Sequence, residues 1–377
     1  MPWHGLAIAA NGNIKPCCQY KGGVANTLDS DIIEEYNNDK MKSLRSKFLS
    51  KQKPKECNSC WEREEQIGES RRLWFQEKFD EYIDKDETLT VNLQNPQWIQ
   101  ADINFGNLCN LKCRMCGVWA SYGWKDDEIA LANISKDYKK QKEPVQLIEQ
   151  NLNTIKSLLP GLKNIKRIDF KGGEPMMAKH HIEFLDYMIE KGYQKNVTLQ
   201  YTTNGTIVNK KILSKLSKFK NVRIMFSIEG TKNLYQYIRG GKYDIDHFVE
   251  TVRLYDKLDN VLLGFNVTMQ TYNVLDLHNL YIFLNCLDLK HGSAKGAFNT
   301  ICNEPNYLNP LNIPYELRFD IINKLENIND FTNFNNSLKS FKFDIELWNI
   351  FVNFTKDLDK LRNENVLNYI PEFSEYF

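Results

Sequence analysis

The spacing of apolar positions changes character along the chain. Leu6 to Ile14 sets Asn11-Gly12 between short apolar flanks, which predicts a hairpin with a two-residue turn. Its second strand runs into Pro16-Cys17-Cys18. From about Asp31 to Ser50 the residues Ile32, Ile33, Tyr36, Met41, Leu44 and Phe48 recur at approximately helical intervals, and Pro54 ends the run. Cys57-Asn58-Ser59-Cys60 then opens a charged helix predicted to reach about Tyr82. Asp84 to Pro96 is polar and aperiodic and reads as a linker.

From Trp98 the pattern becomes strand, helix, strand, repeatedly. The predicted strands are Ile99–Phe105, Lys166–Lys171, Val197–Thr203, Val222–Ile228, Val261–Met269 and Ala294–Thr300. They start about 39 residues apart on average, enough for βαβ units, with an insertion after the first. Right-handed crossovers then give a parallel sheet curled into a partial barrel. Most of these strands alternate. Val222, Ile224, Phe226 and Ile228 oppose Arg223, Met225, Ser227 and Glu229; Ala101, Ile103 and Phe105 oppose Gln100, Asp102 and Asn104. Strands buried on both faces read as continuous apolar runs. A polar face instead fits either a lumen open to ligand or a one-sided sheet facing solvent.

The expected fold is therefore α/β. Residues 1–83 form a small α+β cysteine-rich module, 84–97 a linker, 98–304 a partial (β/α)6 TIM-like barrel, and 305–377 a helical C-terminal extension, with Phe341–Phe354 among its helices.

Composition narrows the functional classes. The 377 residues carry 49 Lys+Arg against 48 Asp+Glu, so no bulk field grips nucleic acid. The first residues lack a basic stretch followed by an apolar run, and no segment approaches the length of a membrane helix. A cytoplasmic protein without a membrane partner is expected. Seven of the nine cysteines cluster, which points to metal binding and not to a disulfide framework. Of the other two, Cys286 falls in an apolar run and is expected to be a core thiol. Cys302 follows the sixth strand and is the one catalytic candidate outside the clusters.

Cys109-Asn110-Leu111-Lys112-Cys113-Arg114-Met115-Cys116 spaces three thiols as C-x3-C-x2-C directly after the first barrel strand, where a barrel carries its catalytic loops. Three thiolates can hold three irons of a cubane and leave the fourth open, or contribute to a zinc site that still lacks a ligand.

With this loop the chain resembles the radical S-adenosylmethionine (SAM) superfamily, whose signature is C-x3-C-x-aromatic-C; Met115 stands where the aromatic residue usually is. Lys171-Gly172-Gly173-Glu174-Pro175 resembles the family's second motif. The resemblance, spanning roughly Trp98 to Cys302, implies a SAM-binding 4Fe-4S cluster on Cys109, Cys113 and Cys116. It implies SAM contacts from Met115, Gly172, Gly173, Glu174 and Pro175, and less specifically from Asn204, Ser227, Glu229 and Arg239. SAM would chelate the open iron, accept one electron and break into methionine and a deoxyadenosyl radical that abstracts hydrogen from a substrate. A one-electron donor such as flavodoxin or ferredoxin is implied as partner.

Cys17, Cys18, Cys57 and Cys60 resemble the ligands of the twitch domain, a shortened SPASM domain that binds an auxiliary iron–sulfur cluster; zinc remains the alternative. The expected substrate is a peptide or protein that undergoes oxidation, crosslinking or maturation. Two other readings stand beside it: a dehydrogenase of a small metabolite, and a non-catalytic, metal-stabilised adaptor for RNA or protein.

Overall fold

The computed structural model describes residues 2–26, 32–83, 97–135, 138, 156 and 158–377. All of the expected linker except Gln97, and residues 136–137, 139–155 and 157 of the insertion after the first barrel strand, lie outside these residues. The chain forms two compact units. One contains Met1–Leu108, Gln146–Tyr201 and Asn209–Val222; the other contains Cys109–Val145, Thr202–Val208 and Arg223–Phe377.

In the first unit, β4 (Gln100–Asn104), β5 (Arg167–Lys171) and β6 (Thr198–Thr203) pair in parallel. The N-terminal hairpin joins this sheet. β1 (Gly5–Ile8) pairs in parallel with β4, from Gly5 opposite Gln100 to Ile8 opposite Ile103. β2 (Asn13–Lys15) and β3 (Ala25–Asn26) continue outward as antiparallel neighbours. Ala101, Ile103, Ile168, Phe170, Leu199 and Tyr201 alternate along their strands and are buried. Gln100, Asp102 and Asp169, on the opposite face, are buried too. That face is therefore not the solvent side of a one-sided sheet.

The second unit carries most of β7 (Asn221–Ser227), then β8 (Val261–Asn266), β9 (Thr268–Met269), β10 (Gly292–Ser293) and β11 (Thr300–Ile301). β10 runs parallel to β8, and β11 parallel to β9. The helix Ile345–Arg362 helps build a core of Val118, Trp124, Leu131, Phe354 and Leu358, against which Cys116 and Tyr307 pack. Both units are thus mixed α/β with parallel strands, as expected of a TIM-like partial barrel. No helix among the described residues is long and apolar enough to cross a membrane.

Several expected elements end elsewhere. The helix expected over 31–50 is two helices, Ile32–Glu35 and Asp39–Leu49. Asn38 separates them because its side chain accepts from Met41 N at 3.0 Å and caps the second. The helix opening at the second cysteine pair stops at Gly68, whose φ of 72° is left-handed, and a new helix spans Arg71–Ile83. The sixth strand, expected over 294–300, is instead the two short strands β10 and β11, separated by Gly296 at φ 74°. The C-terminal helix starts at Ile345, capped by Asp344, and not at Phe341. Cys286 is exposed at the end of the helix Leu277–Cys286, so it is not a core thiol: the polar Asn285 and the helix terminus bring it to the surface.

Candidate functional site

In the second unit the three-cysteine loop has its own backbone tied off. Cys113 O accepts from Cys116 N at 2.9 Å and from the Trp124 indole at 2.9 Å, while Leu111 O accepts from the Ser121 hydroxyl at 2.6 Å. With these carbonyls engaged, the loop offers thiols. A hydrogen bond with the Cys116 thiol, then burial, push the Cys113 thiol well above its ordinary range, with the Arg239 guanidinium pulling the other way. Asn204 Nδ2 lies 3.7 Å from Cys109 Sγ and donates to Asn110 Oδ1 at 2.9 Å. Asn204 Oδ1 in turn accepts from the Thr206 backbone, so the Asn204-Gly205-Thr206 turn fixes the amide beside the first thiol.

Arg239 Nη1 donates to Glu229 Oε2 at 2.7 Å, and both residues are buried. Burial pushes the Glu229 carboxyl up, against the pull of Arg239. Arg239 acts electrostatically on Cys113 and Glu229 on Cys302, so the pair is within electrostatic reach of both thiols. Cys302 itself is buried; its thiol donates to Glu304 O at 3.6 Å, and burial raises it to about 11. Ser227 closes β7 and is half-buried. Met115 and Cys116 border a cavity of about 900 Å³ walled by Trp119, Tyr138, Tyr307 and Phe354.

The Gly172–Pro175 turn belongs to the first unit. Gly172 and Gly173 have φ of 76° and 45°. A Cβ on Gly173 would stand 2.3 Å from Leu108 O, and one on Gly172 would stand 1.8 Å from Asn104 Oδ1. Glu174 N donates to Leu108 O at 2.7 Å, while its buried carboxylate accepts from Met176 N at 3.0 Å and caps the short turn that Pro175 begins. His181, which the sequence did not single out, anchors this turn from below: its Nδ1 donates to Pro175 O at 3.1 Å.

The N-terminal cysteines lie in the same unit. Cys57 is the cap residue before the helix Asn58–Ile67 and Cys60 lies in its first turn, where the dipole favours thiolate charge. Lys21 N donates to Glu56 O at 2.9 Å and ties the Cys17-Cys18 loop to that helix start. Burial, then Cys18, with smaller contributions from Cys57 and Cys60, raise the Cys17 thiol to about 12. Cys57 is raised to about 11 by burial and then by Cys60. Cys18 has different company. Burial, then the Asp102 carboxylate, raise it, while Lys171 and Arg71 act in the opposite sense. Asp102 belongs to a buried network the sequence reading missed. Lys171 Nζ reaches Asp102 at 2.9 Å, and Arg71 reaches Asp169 at 3.4 Å. Gln100 and Arg167 also donate to Asp169, at 2.9 and 3.0 Å. The signal available was the recurrence of charged residues on the polar faces of β4 and β5.

Two groups of cysteines thus occur on short, hydrogen-bonded segments, Cys109/Cys113/Cys116 and Cys17/Cys57/Cys60 with Cys18 adjacent, though among the described residues no three metal-ligating side chains are gathered as a finished metal site. Their chemistry fits iron–sulfur groups.

Comparison with known proteins agrees. The family model of the radical SAM superfamily matches residues 103–284, and that of an iron–sulfur cluster-binding domain, SPASM, matches residues 1–61. The radical SAM cyclopropyl synthase TigE of Paramaledivibacter caminithermalis is 23% identical over 193 residues, 51% of this chain and 40% of that relative. The chain therefore spans well under two thirds of the relative's length. Among solved structures, anSMEcpe with bound AdoMet is 18% identical with a TM-score of 0.41, covering 63% of each chain. SuiB of Streptococcus suis bound to the precursor peptide SuiA is 12% identical with a TM-score of 0.37, covering 80% of this chain and 64% of that one. The two family models fall on the two cysteine sets in the order the motifs do: residues 103–284 match the radical SAM superfamily, and residues 1–61 match the iron–sulfur cluster-binding SPASM domain.

Proposed function

We propose that this chain cleaves SAM reductively and takes a hydrogen atom from a peptide or protein substrate. The observation that carries the first part is the cysteine loop, whose carbonyls at Leu111 and Cys113 are occupied while the Cys113 and Cys116 thiols face each other. When bound and reduced, the cluster would supply the one electron that reductive cleavage of SAM needs.

The protein's own residues do the rest. Cys109, Cys113 and Cys116 would hold the cluster. Glu174 accepts from the SAM ammonium group, on a turn whose glycines let backbone approach closely. The Arg239 guanidinium, set by Glu229, offers positive charge for the SAM carboxylate. Asn204 holds the first cysteine by its neighbour Asn110. Cys17, Cys57 and Cys60 hold the auxiliary cluster, with Cys18 as fourth ligand or as the group beside it. The peptide reading draws support from the cavity beside Met115. About 900 Å³ is at the upper end for small-molecule sites, and its aromatic walls with Asn303 and Asn306 suit a side chain with its backbone amide.

The test is anaerobic. Reconstituted with iron and sulfide, reduced and given SAM, the parent should form deoxyadenosine and Cys113→Ala should not. A parent that binds a cluster yet leaves SAM intact, where a known relative cleaves it, sinks the reading.

A further inference from the structure

The residue between Cys113 and Met115 is an arginine, and its side chain is wholly buried. Arg114 N donates to Ile238 O at 2.8 Å and Arg114 Nε to Tyr237 O at 3.0 Å. The guanidinium stacks 3.6 Å from the centre of the Tyr237 ring. Its Nη2 bonds two carboxylates from the far end of the chain, Asp359 on the helix Ile345–Arg362 and Glu364 just beyond it. Asp359 is itself fixed: it accepts from the Tyr237 hydroxyl at 2.9 Å and from Val366 N at 2.6 Å. A buried arginine needs this much compensation, and Arg suits it because its planar fork serves several acceptors at once.

The same helix end reaches the other side of Cys113. Lys112 Nζ lies 3.2 Å from Asp127, and Asp127 accepts from Arg362 at 2.9 Å. Arg362 also lies over the Trp124 ring, 4.7 Å from its centre, and Trp124 is the donor to Cys113 O. The residues before and after Cys113, and its own carbonyl, are thus all tied to one helix terminus, through Asp359, Arg362 and Glu364.

We infer that Asp359, acting with Glu364 through Arg114, is a positioning residue for the middle cysteine of the SAM-cluster loop, so that the C-terminal helix governs how firmly that cluster is held. The inference rests on the reading of Cys109, Cys113 and Cys116 as cluster ligands. None of the three clamp residues is offered as a ligand or as a group that touches SAM. Their effect is that of an outer shell, whose loss typically costs ten- to a hundredfold in metal retention.

The experiment uses the full chain, reconstituted anaerobically, and follows iron released to a chelator well below the unfolding temperature. The SAM-cluster pool is the one missing from Cys113→Ala. Asp359→Asn should speed release from that pool by about tenfold or more, and Glu364→Gln by a few-fold, with release from the auxiliary pool unchanged. Arg114→Lys, which keeps the charge but loses the fork, should fall with Asp359→Asn. Glu364 lies partly exposed past the helix, so its variant keeps the test open if Asp359→Asn does not fold. Parent-like release from the pool in Glu364→Gln and Asp359→Asn overturns the inference, as does equal acceleration of both pools, which would mark general loosening. A parent without any Cys113-dependent pool overturns the ligand reading itself, and the inference falls with it.

Discussion

His181 Nε2 and the Tyr201 hydroxyl lie 2.7 Å apart, and the proton between them is the tyrosine's. The other ring nitrogen faces Pro175 O, which can only accept, so Nδ1 carries the hydrogen and Nε2 takes the hydroxyl's. The imidazole is neutral, and burial lowers its pKa to about 4. The unfolded chain binds a proton at this histidine below about 6.5, and the folded chain does not until about 4. Stability from this group is therefore full above pH 6.5 and is lost as pH falls toward 4. The whole loss is about 3 kcal/mol. His4, buried against Phe79 and also lowered to about 4 by burial, acts in the same direction. Urea unfolding between pH 4 and 7 should show this slope, and His181→Phe should flatten it. An equal slope in the variant would mean that other groups carry it.

Gly173→Ala should fail for two separate reasons, a φ of 45° and a methyl 2.3 Å from Leu108 O. A cost of about 2–4 kcal/mol is expected. Because the turn must shift to admit the methyl, SAM affinity measured by calorimetry should fall even where the variant is folded. Unchanged SAM affinity in a folded variant would remove this turn from the SAM site.

Removing the Glu229 carboxylate strands a buried guanidinium. Glu229→Gln should cost about 3 kcal/mol, more than an exposed pair would. Arg239→Met combined with Glu229→Leu should recover much of that stability, yet leave SAM binding impaired. Recovery of both in the double variant would assign the pair a purely structural role.

Lys171 is partly exposed while Asp102 is buried, so the two singles are not equivalent. Lys171→Met leaves Asp102 with only the more distant Arg71 at 3.9 Å and should cost about 1–2 kcal/mol. The larger effect should be on the auxiliary centre: with a cation removed beside Cys18, its midpoint potential, followed by electron paramagnetic resonance in the Cys113→Ala background, should fall. A potential unmoved by Lys171→Met and by Asp102→Asn would show that Cys18 and its neighbours stand outside that centre's field.

Much of this was legible in the sequence. The strands β4 to β8 alternate because one face packs on helices, and Ala101, Ile103 and Phe226 could be assigned to that face from period alone. The three-cysteine loop stood out by its spacing, and the Gly172–Pro175 turn by its resemblance to the second motif of the radical SAM family. What stayed hidden depends on contacts distant in sequence. Arg114 looks like a solvated charge until Asp359 and Glu364 arrive about 250 residues later. The sixth strand was misplaced because Gly296 bends the backbone between two pairings of two residues each, too short to leave a period. The exposure of Cys286 follows from how its helix ends, which an apolar run does not reveal.

The parallel ladder between β1 and β4 has a consequence for the order of assembly. Gly5 to Ile8 find their partners at Gln100 to Ile103, so the contact closes a loop of some ninety residues. Such a contact is entropically late. Until β4 exists, β1 keeps an unpaired edge, and the four N-terminal thiols lack the strand that carries Asp102. Were the proposed auxiliary cluster to sit on these thiols, its insertion would follow the first barrel strand in biosynthesis, and a nascent chain caught before that point would carry four thiols beside an unpaired strand edge.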